Sequence, residues 1–287
     1  GTILHWDGSA WSGFPSGTTN ILYSVWGSAS TDVWAVGASG TILHWDGSAW
    51  SGFPSGTTNI LYSVWGTAST DVWAVGTSGT ILHWDGSAWS ASESGTPNYT
   101  LRGVWGSAST DVWAVGGSGT TLHWDGSMWS QTSSPNWDLS AVWGSASTDV
   151  WAVGQAGTIL HWDGGAWPTV AASGPTNSLV GVWGSTSTDV WAVGYDGTIL
   201  HWDSSGWSVS AGGTPIFLNG VWGSASTDVW AVGDDFGGDA RILHWDGGAW
   251  SSVSTGTGTM SGLFAVWGSA STDVWAVGLS GTILHRQ

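Results

Sequence analysis

The chain has 287 residues, with three basic against twenty acidic side chains for a formal net charge of −17, and no cysteine. Such a surface repels the phosphates of nucleic acids and anionic membranes, and disulfides are excluded outright. Hydrophobic residues make up 41% of the sequence, enough for a large core, yet no run approaches the roughly 18 to 20 apolar residues that span a bilayer, so membrane insertion is not expected.

From Gly1 onward the chain repeats itself. Residues 1–39 and 40–78 differ only at Ser28 against Thr67 and Ala38 against Thr77, which points to recent duplication of one unit. Adjacent near-identical β units also invite swapped strand pairing. In chain order a unit offers Leu22 to Trp26, Asp32 to Gly37, Thr41 to Trp45 and a short segment around Trp50, each of strand composition, separated by Gly, Ser, Thr and Asn turns. The aspartate of Asp-Val-Trp-Ala-Val-Gly recurs at Asp32, Asp71, Asp111, Asp149, Asp189, Asp228 and Asp273, at intervals of 39, 40, 38, 40, 39 and 45 residues. Four short antiparallel strands on such a period make one propeller blade, so the expected fold is all-β, a seven-bladed β-propeller spanning residues 1–287 as a single domain. Asp-Val-Trp-Ala-Val-Gly is apolar at nearly every position, as expected of a sheet covered on both faces by its neighbours. Segments of the Gly-Thr-Ile-Leu-His type occur eight times, from Gly1 to Gly281, six of them exact and two as variants at Gly119 and Ala240, one more than seven blades need. Either the N-terminal piece supplies two strands to the last blade, leaving His285-Arg286-Gln287 spare, or it supplies only the outer strand around Trp11; the expected closure is the latter, three C-terminal strands with one N-terminal strand, leaving an extra strand at a terminus.

The run Leu22-Tyr23-Ser24-Val25-Trp26, followed by Asp32 to Gly37 and Gly40-Thr41-Ile42-Leu43-His44-Trp45-Asp46, resembles the WD-repeat pattern strand by strand. It lacks the Gly-His pair that opens a typical WD repeat, and only Asp196 supplies the Asp before Gly-Thr-Ile. Trp73 to Gly76, Gly79 to His83, Asp85-Gly86 and Trp89 are equally similar to bacterial propellers with Asp-box-like turns, of the photosystem II assembly factor type, although there the Asp-to-Trp spacing is usually one residue longer. The resemblance covers the whole chain and implies a propeller, not an activity.

Propeller topology gathers the turns before Asp32 and at Asp46-Gly47, with their copies, at one end of the disc, so fourteen of the twenty acids meet there. A ring of carboxylates admits hard cations such as calcium. The plainer reading is that each Asp caps its own turn, and no metal site or other cofactor is expected. His and Asp two apart in each unit share a strand face but fall short of a closed zinc site; a histidine hydrogen-bonded within each blade is the simpler reading. Four tryptophans per repeat account for 28 of the 29. Packing is their default use. The alternative is that Trp6, Trp45, Trp84, Trp124, Trp162, Trp202 and Trp245 lie in grooves between blades and stack on sugar rings, as in multivalent sugar-binding propellers. The copies diverge in the connections between blades and in the turns after Ala-Val-Gly, which lie together at the opposite end; there Tyr99, Trp137, Tyr195 and Phe236 form a candidate partner face.

An enzyme needs a singular constellation, whereas nearly every polar residue here recurs seven times; lysine and cysteine nucleophiles are absent, and the three arginines are scattered. The expected function is therefore non-enzymatic binding, as a multivalent, lectin-like propeller that takes glycans through equivalent sites in each blade, with a protein-interaction scaffold that uses the divergent face as the alternative. Charge, the absence of cysteine and the resemblance suggest a secreted or cell-surface bacterial protein, and a monomer is expected.

Overall fold

The computed structural model describes residues 2–96, 98–132, 134–172, 176–211, 215–254, 261–279 and 283–284. Each repeat folds into an antiparallel sheet whose strands follow chain order, and seven sheets surround a central channel lined by their first strands. Blade 1 consists of Leu22–Ala29, Asp32–Gly37, Ile42–Trp45 and Trp50–Phe53. The first strands of blades 2 to 7 are Leu61–Ala68, Leu101–Ala108, Leu139–Ala146, Leu179–Thr186, Ile216–Ala225 and Leu263–Ala270. In blade 4 the fourth strand is reduced to a bridge between Leu160 and Thr169, because Pro168 follows Trp167 and has no N–H to give the ladder; its carbonyl still accepts from His161 N at 3.2 Å.

The core lies in the seams between blades. Trp34, Val36 and Ile42 of blade 1 pack with Leu61, Val64, Val72, Ala74, Leu82 and Trp84 of blade 2, and six equivalent clusters complete the ring. This explains why the second strand is apolar throughout: both of its faces meet side chains, its own and a neighbour's. The Trp34 indole stacks on His44 of its own blade at 4.2 Å and meets Trp84 at 5.1 Å and Trp89 edge-on at 5.4 Å in the next. Gly66 makes the approach possible. A Cβ there would sit 2.8 Å from the Trp26 ring of the preceding blade and 2.5 Å from the Asp71 carbonyl, so only glycine admits that indole.

Ring closure differs from the three-plus-one arrangement expected. Thr2–Trp6 occupies the third position of blade 7 beside Asp273–Gly278, and Trp11–Phe14 follows as the fourth strand, so each terminus supplies two strands. The N-terminal copy wins that position because its hairpin brings two indoles: Trp6 meets Trp230 at 5.3 Å, and Trp11, buried, meets the same ring at 5.6 Å. In the C-terminal copy Arg286 stands where that first tryptophan would be. Ile283–Leu284 is the extra strand, pairing parallel to Ile3 and Leu4 on the outer side of the closing blade. His5 then completes the seam, with Nε2 2.5 Å from Asp273 Oδ1 and its ring stacked on Trp275 at 4.3 Å.

Candidate functional site

Each first strand carries two β-bulges against its partner. In blade 1 they fall between Leu22 and Ser24 and between Gly27 and Ala29, and the same two irregularities recur in all seven blades. A bulge puts an unpaired residue into the strand and re-aims its side chain. The two rows of bulged residues serve opposite ends of the disc.

The row at the aspartate end is uniform: Ser28, Thr67, Ser107, Ser145, Ser185, Ser224 and Ser269. Each hydroxyl donates to the aspartate that opens the second strand, as Ser28 does to Asp32 Oδ2. The other carboxylate oxygen meets the blade's histidine, with His44 Nε2 2.6 Å from Asp32 Oδ1 and its six copies at 2.5 to 2.7 Å. Hydroxyl, carboxylate, imidazole and indole thus form one connected chain per blade. The second set of aspartates caps turns. Asp46 Oδ1 accepts from Ser48 N, Ser48 Oγ and Ala49 N at 2.8, 2.6 and 2.9 Å, while Gly47 takes φ +90°, a conformation open to glycine. These donors, the Ser48 hydroxyl first, hold the Asp46 carboxyl down at about 2. The fourteen aspartates do collect at this end, where Gly47 abuts Thr31; each second-strand aspartate is engaged at both oxygens and each turn aspartate at Oδ1, as Asp32 and Asp46 are. Among the described residues no three His, Asp or Glu side chains are grouped to hold a metal ion.

The row at the other end is different in nearly every blade: Tyr23, Tyr62, Arg102, Ser140, Val180, Asn219 and Phe264. These seven side chains ring the channel mouth, around a cavity of about 500 Å³ that Asp138, Gln155, Ser178 and Tyr195 also line. Below them the next ring consists of Ser24, Ser63, Gly103, Ala141, Gly181, Gly220 and Ala265, all small, because the first strands converge there; a Cβ on Gly220 would lie 3.0 Å from Ala265 Cα. The cavity therefore has a tight repeated floor and a varied wall.

The wall is two-sided. Blades 7, 1 and 2 supply consecutive aromatic rings, Phe264 to Tyr23 at 5.2 Å and Tyr23 to Tyr62 at 5.1 Å. Their interplanar angles of 50° and 54° match the seventh of a turn between blades, so the three rings keep one attitude to the axis and form a continuous concave arc. Burial, and secondarily the neighbouring Tyr62, pushes the Tyr23 hydroxyl up. Blades 3, 4 and 6 supply polar residues, Arg102, Ser140 and Asn219, with Val180 of blade 5 between them. Arg102 Nη1 donates to Asp138 Oδ2 at 3.1 Å, and Ser118 N donates to Asp138 Oδ1 at 2.8 Å; the Ser118 N–H and then Arg102 hold the Asp138 carboxyl below the usual range. Asn219 Nδ2 donates to Asp234 Oδ1 at 2.9 Å and to the Leu263 carbonyl at 2.9 Å. Burial raises the Asp234 carboxyl.

The seven tryptophans considered as sugar platforms lie at the seams between blades. Trp45 and Trp84 are 8% exposed; Trp6, Trp124, Trp162, Trp202 and Trp245 are half-buried. Each packs on the second-strand indole of the preceding blade, as Trp124 does on Trp73 at 5.3 Å and Trp162 on Trp113 at 4.9 Å. Tyr99, Trp137, Tyr195 and Phe236 are exposed, and Tyr195 reaches the mouth itself. Beside it the lengthened hairpin of blade 6, Asp228–Asp235 with Ala240–Trp245, stands up from the face and carries Phe236. Phe217 bridges the two, 5.2 Å from Tyr195 and 4.9 Å from Phe236. The wall residues other than Tyr195 escape a reading that seeks divergence only in loops. The signal was nonetheless present, since aligning the seven copies shows the residue after Leu, Tyr-Tyr-Arg-Ser-Val-Asn-Phe, changing inside an otherwise repeated strand.

No protein-family model and no curated protein sequence matches the chain. Solved structures do. The WD40 β-propeller domain of Doa1 superposes with a TM-score of 0.80 at 14% identity, over 100% of this chain and 97% of that one. YCF48 bound to D1 peptide gives 0.76 at 17% identity, over 96% of each chain. The extracellular domain of the one-component system BT4673 from B. thetaiotaomicron gives 0.75 at 13% identity, over 96% of this chain and 39% of that one. At such identities the likeness is one of fold, and it places the chain's architecture among seven-bladed propellers of the WD40 and YCF48 kind.

Proposed function

We propose that the chain is a non-catalytic binding module that grips a protein partner at the channel mouth. The observation that carries this reading is the row of seven bulged wall residues: along first strands that otherwise repeat or stay small, the fold varies the side chains that face a cavity of about 500 Å³. Packing does not require that variation, because the bulge lifts each of these residues out of the ladder, and a single varied cavity suits one partner better than seven equivalent sites do. The exposed Tyr195, Phe236 and Trp137 extend the same end as a partner surface. Among the structural neighbours, YCF48 is described as bound to a peptide, which is consistent with use of this fold for protein segments. The acidic surface suits a secreted or cell-surface setting.

Carbohydrate remains the competing ligand class, and one experiment separates the two. The chain and its Tyr62→Ser/Phe264→Ser variant are applied to a peptide array and to a glycan array, each with and without calcium. The expected result is peptide signal that the variant loses. Glycan signal of equal strength in both proteins would overturn the mouth reading in favour of the blade seams, and calcium dependence would direct attention to the aspartate end.

A further inference from the structure

The charge around the mouth narrows the kind of partner, given that the mouth is where the partner binds. The acids outside the fourteen repeated aspartates include Asp138, Asp196, Asp234, Asp235 and Asp239, and strand order puts all five at the mouth end. Asp138 lines the cavity, Asp234 adjoins it through Asn219, and Asp196 follows Tyr195 in the same turn. Against these five stand two arginines, and neither offers unbalanced positive charge: Arg102 is held by Asp138, and Arg241 by Asp235. The Asp138 carboxylate has used one lone pair on each oxygen and can still accept from an incoming donor. The whole molecule, at −17, adds a field that draws cations toward the mouth and turns anions away. Across the cavity the Phe264, Tyr23 and Tyr62 arc offers apolar surface with a π-system.

An aromatic wall facing carboxylates suits a long side chain with an apolar stem and a cationic head. We propose that the mouth receives an extended peptide segment bearing lysine or arginine, its stem along the Phe264, Tyr23 and Tyr62 arc and its head toward Asp138 and Asp234. The volume of about 500 Å³ holds one or two such side chains, not a folded domain, so the segment reaches in while its flanks lie across Tyr195 and Phe236.

The test pans random dodecapeptides displayed on phage against the full chain and, in parallel, against the Tyr62→Ser/Phe264→Ser variant. The variant keeps every charge, so peptides drawn only by the overall acidity are retained by both surfaces. Peptides retained by the chain alone are expected to carry lysine or arginine at about threefold their input frequency or more, and to be depleted in Asp and Glu. The strongest is then synthesised, and by fluorescence anisotropy Asp138→Asn with Asp234→Asn is expected to weaken it about tenfold. Circular dichroism confirms that each variant is folded. Chain-specific peptides without basic enrichment, or with affinity unchanged by the two Asn substitutions, would overturn the cationic preference and leave the mouth as the binding site. Retention of the same peptides by both surfaces, or of none, would overturn both.

Discussion

Aspartate does three jobs in this chain, and each has a different energetic signature. Asp111 belongs to a connected chain: Ser107 donates to one oxygen, His123 Nε2 lies 2.6 Å from the other, and the imidazole stacks on Trp113 at 4.3 Å. Asp111→Ala leaves the partly buried His123 without its carboxylate and is expected to cost about 2 kcal/mol, read from urea unfolding. Asp7, Asp46, Asp85 and Asp125 instead cap exposed turns, with carboxyls lowered from 3.8 to about 2 by N–H and hydroxyl donors. Their folded-state values lie below the unfolded ones, so their contribution is complete above about pH 4 and is lost as pH falls through about 2. Melting temperature followed by circular dichroism should therefore drop between those limits, and Asp46→Asn, Asp85→Asn and Asp125→Asn together should make the drop shallower. Asp138 and Asp234, at the mouth, are the aspartates expected to show themselves in binding.

The two bulges of a first strand divide its duties. At the aspartate end the bulged hydroxyl is part of the blade's internal network, so Ser107→Ala is expected to cost about 1 to 2 kcal/mol. At the mouth end Tyr62→Ser and Val180→Ser should each change stability by less than about 1 kcal/mol while altering what the cavity accepts; parallel urea curves test both. Strands and turns were legible in the sequence because the apolar run of Asp-Val-Trp-Ala-Val-Gly and the Asp-Gly turns each carry a local signature. A bulge carries none: Tyr23 reads as one more strand residue in Leu-Tyr-Ser-Val-Trp, and only the slip in pairing between Leu22 and Ser24 reveals its direction. The choice between the two closures is illegible in the sequence for a related reason. Ile3 and Ile283 sit in identical local sequence, and the choice between them is made by Trp6 and Trp11 against Trp230, a contact between residues more than 200 positions apart. That Trp45 and its copies, the candidate sugar platforms, each face a neighbouring indole is likewise a property of the seam.

For the molecule as a whole, the blades attract one another through apolar seams while the net charge of −17 pushes the compact ring apart. Screening relieves only the second effect. The melting temperature is thus expected to rise when salt increases from about 10 mM to about 150 mM, as the Debye length contracts from roughly 30 to 8 Å. A flat response in calorimetry would mean that the carboxylates are already neutralised locally by their hydrogen-bond donors. Seven mouth residues lifted clear of the pairing ladder have a longer consequence. Crossover between neighbouring repeats can replace one wall residue with another while every indole seam is inherited intact, so lineages of this chain can acquire new tastes without passing through unfolded ancestors.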